Sequence, residues 1–235
     1  MARETAEIKM TVAAEQVPRA IGALGLPAEP EQWEIYFFED LTTGLPTRTP
    51  LLDAGIVLRF RRRGAKGPDS TAKLRPCRRS QLTDRWLAAG KEDGVKIQAD
   101  WAGDRHVLAV SVSADRDGLD PAGPVETLFT AGQRQFLADC AVARVNLAAV
   151  SVLPPVDATR WPDYTARGIE IQAERWIAGP LDFLELSTVA ALDEAVAARA
   201  TLESYARAAG LDIDAVTETK TRLVLNQLVT AAAPV

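Results

Sequence analysis

Alternating apolar and polar residues mark several strands, and the clearest pair lies between residues 51 and 75. One face of this pair is apolar and consists of Ile56, Leu58, Phe60, Ala72 and Leu74. The other face carries the basic residues Arg59, Arg61, Lys73 and Arg75. We expect these cations to have cross-strand neighbours of like charge, which destabilises a sheet. The pattern therefore predicts that an anion or a set of carboxylates lies beside the basic face.

The same patterns predict the remaining elements. Further strands are expected at 5–12, 33–39, 106–114, 142–153, 169–177 and 181–189. Helices are expected at 15–24, 80–89, 126–140, 191–209 and 214–229. About eight strands with polar residues on one face predict an α+β fold, an eight-stranded antiparallel β-barrel or tunnel with surrounding helices. We expect residues 1–235 to form a single domain of this kind, with C-terminal helices at 191–229.

Such a barrel would have a charged interior. Its predicted lining is Glu7, Lys9, Arg59, Arg61, Lys73, Arg75, Arg144, Glu174 and Glu185. Arginine and lysine neutralise phosphate oxygens, whereas carboxylates hold Mg²⁺ or Mn²⁺. The mixture is typical of a metal-assisted polyphosphate site.

Composition supports a local anion site in an otherwise acidic protein. The chain has a formal net charge of −5, which argues against general nucleic-acid binding. Residues 59–79 nevertheless contain nine basic residues and only one acid, Asp69. The alternative is a solvated, charge-rich strand pair that binds nothing.

The few cysteine and histidine residues exclude several kinds of site. Cys77 and Cys140 have no CxxC spacing, which argues against a disulfide framework, a zinc site or a thiol nucleophile. A single histidine, His106, cannot build a multi-histidine metal site. The N-terminus has no apolar signal region, and no run approaches the ~20 apolar residues that span a bilayer. We therefore expect a cytoplasmic protein without a membrane segment.

Several motifs resemble those of the CYTH superfamily, the triphosphate tunnel metalloenzymes. Glu7-Ile8-Lys9 is similar to the end of that family's ExExK strand, and residues 52–61 are similar to its LRiR segment, with the aromatic run at 36–38 before it. Residues 71–74 resemble the TLK strand, residues 174–187 the late acidic strand pair, and residues 219–222 the C-terminal lysine motif. The most specific part is AGIVLRFRRR with the lysine strand that follows it.

The resemblance implies an eight-stranded tunnel that holds a triphosphate or polyphosphate small molecule together with Mg²⁺ or Mn²⁺. It implies phosphate binding by Lys9, Arg59, Arg61, Lys73, Arg75, Arg144 and Lys220. It implies metal binding by Glu7, Glu174 and Glu185, and it assigns no catalytic residue.

Two departures from the family pattern bear on activity. Thr5 replaces the first glutamate of ExExK, and Ser187 replaces the last glutamate of ExE, so two charged metal ligands become neutral hydroxyls. One hypothesis is therefore a metal-dependent hydrolase of a triphosphate compound. A second is a weakened or inactive binder of polyphosphate or a phosphorylated metabolite. Adenylate cyclisation, and charges that only pair with one another, are further alternatives.

Overall fold

The computed structural model describes residues 4–42, 48–213 and 219–232. Its strands are β1 (Thr5–Val12), β2 (Glu31–Glu39), β3 (Ile56–Arg62), β4 (Asp69–Cys77), β5 (Val95–Ala102), β6 (Arg105–Asp115), β7 (Ser151–Val152), β8 (Val156–Arg160), β9 (Tyr164–Ala166), β10 (Ile169–Ala178) and β11 (Leu181–Ala191). Its helices are α1 (Val17–Ala23), α2 (Pro50–Asp53), α3 (Asp84–Ala88), α4 (Val125–Leu128), α5 (Ala131–Cys140), α6 (Ala195–Ala208) and α7 (Lys220–Ala232). In these ranges no helix has the length and apolar character needed to cross a bilayer.

The strands form a closed mixed β-barrel, which confirms the predicted α+β class. Among the described residues, nine strands follow the order β11-β1-β5-β6-β4-β3-β2-β8-β10, and β10 also pairs with β11. β1 and β5 are parallel, whereas the other pairs with a described register are antiparallel. The barrel thus differs from the prediction in four ways: it contains β5 and β8, which were not predicted, it lacks the strand expected at 142–153, and one of its strand pairs is parallel.

The residues of β5 and those at 142–153 differ most from the predicted strands. β5 was not predicted, although Val95, Ile97 and Ala99 alternate with polar residues. The predicted strand at 142–153 is wrong, because only Ser151–Val152 pairs there, with β2. The reason is a three-residue spacing: Leu147, Val150 and Leu153 are buried, which fits a turning backbone better than a strand of period two.

The predicted helices are confirmed in place but not in all their bounds. The helix expected at 126–140 is divided into α4 and α5, and Thr130 caps the second by accepting a hydrogen bond from the backbone of Gln133. The helix expected at 80–89 is the short α3, with Thr83 at its N-cap. Residues 214–218 of the last predicted helix lie outside the described residues, and α7 begins at Lys220.

The chain divides into two compact units. Unit 1 comprises Met1–Trp33, Gln98–Val107 and Asp157–Val224, and unit 2 comprises Glu34–Ile97, Leu108–Val156 and Leu225–Val235. The prediction of one domain over 1–235 stays a prediction.

In unit 2 the apolar face of β3 and β4 is buried in one core with α5. Phe60 and Phe136 both belong to this core and are fully buried. The buried amide of Gln133 on α5 donates to the backbone carbonyls of Ser70 and Val112 at 2.9 and 3.0 Å, and it accepts from the Ser70 hydroxyl. These bonds satisfy the buried amide and attach α5 to β4 and β6, so the basic face is left on the opposite side of the strands.

Unit 1 has its own core beneath β1, β10 and β11. The buried face of β1 consists of Ala6, Ile8, Met10 and Val12. Leu202 of α6 and Val17 of α1 belong to the same core, and the Tyr205 hydroxyl donates to the Leu24 carbonyl and so joins the two helices. Because apolar residues take one face of β1, its polar residues Glu7 and Lys9 point to the other face.

Candidate functional site

The basic face of unit 2 is organised in rows across β3, β4 and β6. Residues that pair directly across these antiparallel strands share a face. The rows are Val57–Lys73–Ser111, Arg59–Thr71–Ser113 and Arg61–Asp69–Asp115. The expectation of like charges directly opposite one another is therefore wrong, since each cation faces a neutral or acidic residue.

Three guanidinium groups surround one buried carboxylate, Asp69. Arg61 donates to both of its oxygens at 2.9 and 2.5 Å, and Arg63 lies 3.6 Å away. Burial alone would raise the pKa of Asp69, but the hydrogen bond and charge of Arg61, together with the charges of Arg59 and Arg63, hold that pKa below its ordinary value. Asp115 also pairs with Arg63 at 2.9 Å, but its carboxylate is 79% exposed and hence well screened.

Hydroxyl groups lie between these cations. Thr71 and Ser113 share a hydrogen bond of 3.0 Å, and Arg59 Nη2 lies 3.4 Å from the Thr71 hydroxyl. Lys73 is half-buried beside Ser111 on the same face, and Arg75 is half-buried further along β4. The face thus combines cations with neutral groups that can donate hydrogen bonds.

Arg144 does not lie on a strand. Its side chain is exposed in the segment between α5 and β7, because the strand predicted there does not form. Its assignment to phosphate binding stays a prediction.

Unit 1 contains a compact ion-pair cluster around Lys9. The Lys9 ammonium lies 2.8 Å from Glu7 and 3.0 Å from Asp100, whose carboxylate has no exposed surface. Gln98 donates to the same Glu7 oxygen at 2.7 Å. Burial alone would lower the pKa of Lys9, but the charges of Glu7, Asp100 and Glu185 raise it above its ordinary value. Lys9 therefore stays protonated in the folded protein.

Two further cations of unit 1 pair with the remaining acids. The Lys220 ammonium lies 3.2 Å from Glu185 and 3.7 Å from the centre of the Trp176 ring. Glu174 accepts a hydrogen bond from the Trp176 indole, and its other oxygen lies 3.8 Å from Arg160. The lysine predicted to bind phosphate is thus only 4% exposed and already has a carboxylate partner.

The carboxylates predicted to bind metal do not fit a divalent ion as they are placed. Glu174 and Glu185 are direct cross-strand partners on β10 and β11, but Glu7, Glu174 and Glu185 each contact a different cation. In the described ranges, no three acidic, histidine or cysteine side chains are grouped so that they could hold a metal ion. Ser187 and Thr5 contribute no charge. Assignment of these three glutamates to metal binding stays a prediction.

Several residues of these clusters were not predicted as site residues, among them Asp69, Arg63, Asp100, Arg160 and Trp176. The alternation of β5 was a usable signal for Asp100, since Gln98 and Asp100 share its polar face. Arg160 ends the short strand β8, which carries little pattern of its own. Arg63 follows β3 and is the last of three consecutive arginines, so the alternating pattern of the strand did not distinguish it.

Solved structures of the same fold exist. A candidate adenylyl cyclase from Hippeastrum, described as having a dominant triphosphatase activity, is 15% identical, with coverage of 94% of this chain and 95% of that chain and a TM-score of 0.59. A candidate adenylate cyclase from Bacillus halodurans is 14% identical, with coverage of 95% and 98% and a TM-score of 0.61. A Pyrococcus horikoshii protein is 14% identical, with coverage of 94% and 99% and a TM-score of 0.50. No protein-family model and no curated protein sequence matches the chain.

These similarities extend over nearly the whole of each chain. They confirm the resemblance to CYTH-type triphosphatase and adenylate cyclase-like proteins as a likeness of fold. At 14 to 15% identity they say nothing about individual residues, so any activity of this chain has to be argued from its own side chains.

Proposed function

We propose that the chain binds a small molecule that carries a triphosphate or polyphosphate group on the basic face of unit 2. The observation that carries the proposal is that three guanidinium groups, those of Arg59, Arg61 and Arg63, share the single buried carboxylate Asp69. Three positive charges therefore lie close to one buried negative charge. Such a cluster of guanidinium groups suits a polyanion.

The chemistry of this face suits phosphate oxygens. Guanidinium groups form short, paired hydrogen bonds with phosphate, and Lys73 adds a point charge on the same face. The hydroxyls of Thr71 and Ser113 are neutral donors that bind an anion without adding repulsion. The fold supports the proposal in a general way, since a protein of similar fold is described as a triphosphatase.

Isothermal titration calorimetry with inorganic tripolyphosphate tests the proposal, with Arg59→Ala and Arg62→Ala as a matched pair. The two arginines lie three residues apart on β3 and therefore point to opposite faces, and Arg62 pairs with Glu34 at 2.9 Å. Arg59→Ala should weaken binding about tenfold, as expected for the loss of one charge-assisted hydrogen bond. Arg62→Ala should leave the affinity unchanged. Equal affinities for both variants would contradict the proposal.

A second candidate function is hydrolysis of the bound triphosphate, assisted by Mg²⁺ or Mn²⁺. It is favoured by the description of the Hippeastrum protein, although the glutamates of this chain that the resemblance assigns to metal are paired with cations. Incubation with tripolyphosphate, thiamine triphosphate and nucleoside triphosphates tests it. Phosphate release above that of the Arg59→Ala variant would support hydrolysis. Release at the level of that variant would support binding without hydrolysis.

A further inference from the structure

The acids of unit 1 already have cations of the protein as partners. Four carboxylates, Glu7, Asp100, Glu174 and Glu185, contact or face three cations, Lys9, Arg160 and Lys220. Acids gathered on strands of one sheet would normally need an external cation to offset their repulsion. Here three bases of the protein already lie beside the acids, and Arg160 lies nearer to Asp163, at 2.5 Å, than to Glu174, at 3.8 Å. With Asp163 counted, the net formal charge of the eight groups is −2, from five acids and three bases.

We propose that the ammonium groups of Lys9 and Lys220 occupy the positions beside these carboxylates that a divalent ion would need, so that unit 1 is closed to Mg²⁺ and Mn²⁺. The two lysines act as permanent internal counter-ions. Ligand binding by the chain would accordingly be independent of divalent metal.

Lys9 blocks the first part of the acidic cluster. Its ammonium lies within 3.0 Å of both Glu7 and Asp100, and the charge of Glu185 also raises its pKa. A protonated lysine has three donors and no lone pair, so it cannot serve as a metal ligand. A divalent ion next to Asp100 would therefore lie close to the Lys9 ammonium and be repelled by it. Asp100 has no exposed surface, so its carboxylate cannot bind the ion from the solvent side instead.

Lys220 blocks the second part. Its ammonium lies over the Trp176 ring, where the π electrons stabilise a cation, and it is paired with Glu185. To reach Glu185 an ion would have to displace a side chain that is only 4% exposed. This arrangement favours the singly charged ammonium group of Lys220 over a free divalent ion.

Titration of the chain with Mn²⁺ alone, followed by the electron paramagnetic resonance signal of the free ion, tests this inference. The wild-type chain should bind Mn²⁺ no more tightly than roughly 1 mM, as expected of scattered surface carboxylates. Lys220→Met removes the charge beside Glu185 and should tighten Mn²⁺ binding about tenfold. The control is Arg199→Met, which removes a partly exposed cation that pairs with Glu203 on α6 of the same unit, and it should leave Mn²⁺ binding unchanged.

Lys220→Gln provides a second variant that keeps a donor for Glu185, so it decides the question if circular dichroism shows that Lys220→Met is unfolded. Micromolar Mn²⁺ binding by the wild-type chain would overturn the inference. So would a folded Lys220 variant that gains no Mn²⁺ binding. The measurement contains no phosphate compound, and its outcome is therefore independent of the function proposed for unit 2.

Discussion

The balance of acidic and basic side chains differs between the two units. In unit 1, Lys9 and Lys220 each lie beside at least one carboxylate, and the cluster around them holds five acids, Asp163 included, against three bases. In unit 2, Arg61 and Arg63 compete for Asp69, and Arg59 adds a third positive charge beside the same carboxylate. Over their whole ranges, unit 1 has 19 acids and 11 bases, whereas unit 2 has 13 acids and 16 bases.

This difference separates groups that stabilise the protein from groups that remain available for a ligand. A buried ion pair that is complete contributes to the structure, and removing one partner is costly because the other charge is left behind. A cluster with more cations than acids is relieved by an anion from outside. Changing one charge at a time tests this difference between the two units.

The largest effect is expected in unit 1, from Lys9→Met. The buried carboxylate of Asp100 would lose its counter-ion, and the free energy of unfolding should fall by about 3–5 kcal/mol. Urea denaturation measures the change. Adding Asp100→Asn should recover part of the loss, because the fully buried carboxylate is then replaced by a neutral amide and only the partly exposed Glu7 still lacks the charge of Lys9. A Lys9→Met variant as stable as the wild-type chain would show that the pairing in unit 1 does not matter for folding.

In unit 2 the corresponding change should act on binding. Asp69→Asn keeps the shape of the side chain and removes the buried negative charge that lies among the three guanidiniums of Arg59, Arg61 and Arg63. Tripolyphosphate should bind about fivefold more tightly, as expected for roughly 1 kcal/mol of reduced competition. Calorimetry gives the affinity. Weaker binding by this folded variant would mean that Asp69 orients the ligand rather than competes with it.

Part of the loss of stability at acid pH should also depend on Asp69. Its pKa is below the ordinary value of 3.8 in the folded state, so the unfolded chain binds more protons than the folded chain as the pH falls. The contribution of Asp69 to stability is complete above about pH 4 and is lost as the pH falls through its folded pKa. The denaturation midpoint should fall less steeply from neutral to strongly acid pH for Asp69→Asn than for the wild-type chain. The same dependence on pH in both proteins would contradict this assignment.

The smallest expected effect concerns the neutral groups between the cations. Ser113→Ala removes the hydrogen-bond partner of the Thr71 hydroxyl and should lower the free energy of unfolding by about 0.5 kcal/mol. Ser151→Ala, at an exposed position of β7, is the control and should have no effect. Thermal denaturation measures both. A loss well above that of a single hydrogen bond would indicate that the hydroxyls belong to a larger network.

Much of the local structure was predictable from the sequence because it depends on alternation. β1 and the pair β3–β4 have the predicted faces, with Ile8, Leu58 and Leu74 buried and the charged residues between them half-buried. The basic face itself followed from the same pattern, including Arg59 and Arg61. These features need only the period of a strand and the burial of apolar side chains.

The partners of the charged residues were not predictable, because they depend on strand register and on contacts between distant parts of the chain. Asp100 meets Lys9 only because β5 runs parallel to β1, across 91 residues of sequence. Lys220 meets Glu185 through the start of α7. The sequence alone therefore suggested that every basic residue near the acids binds phosphate, whereas the structure gives Lys9 and Lys220 partners within the protein.

The most direct test of the central claim is a calorimetric titration of the wild-type chain with tripolyphosphate in the presence of a chelator. We predict one saturating binding event that weakens as the salt concentration rises, because the surplus charge of unit 2 drives it. A titration without binding heat, confirmed by the absence of any thermal stabilisation at high tripolyphosphate concentration, would contradict the claim that Arg59, Arg61 and Arg63 form an anion site.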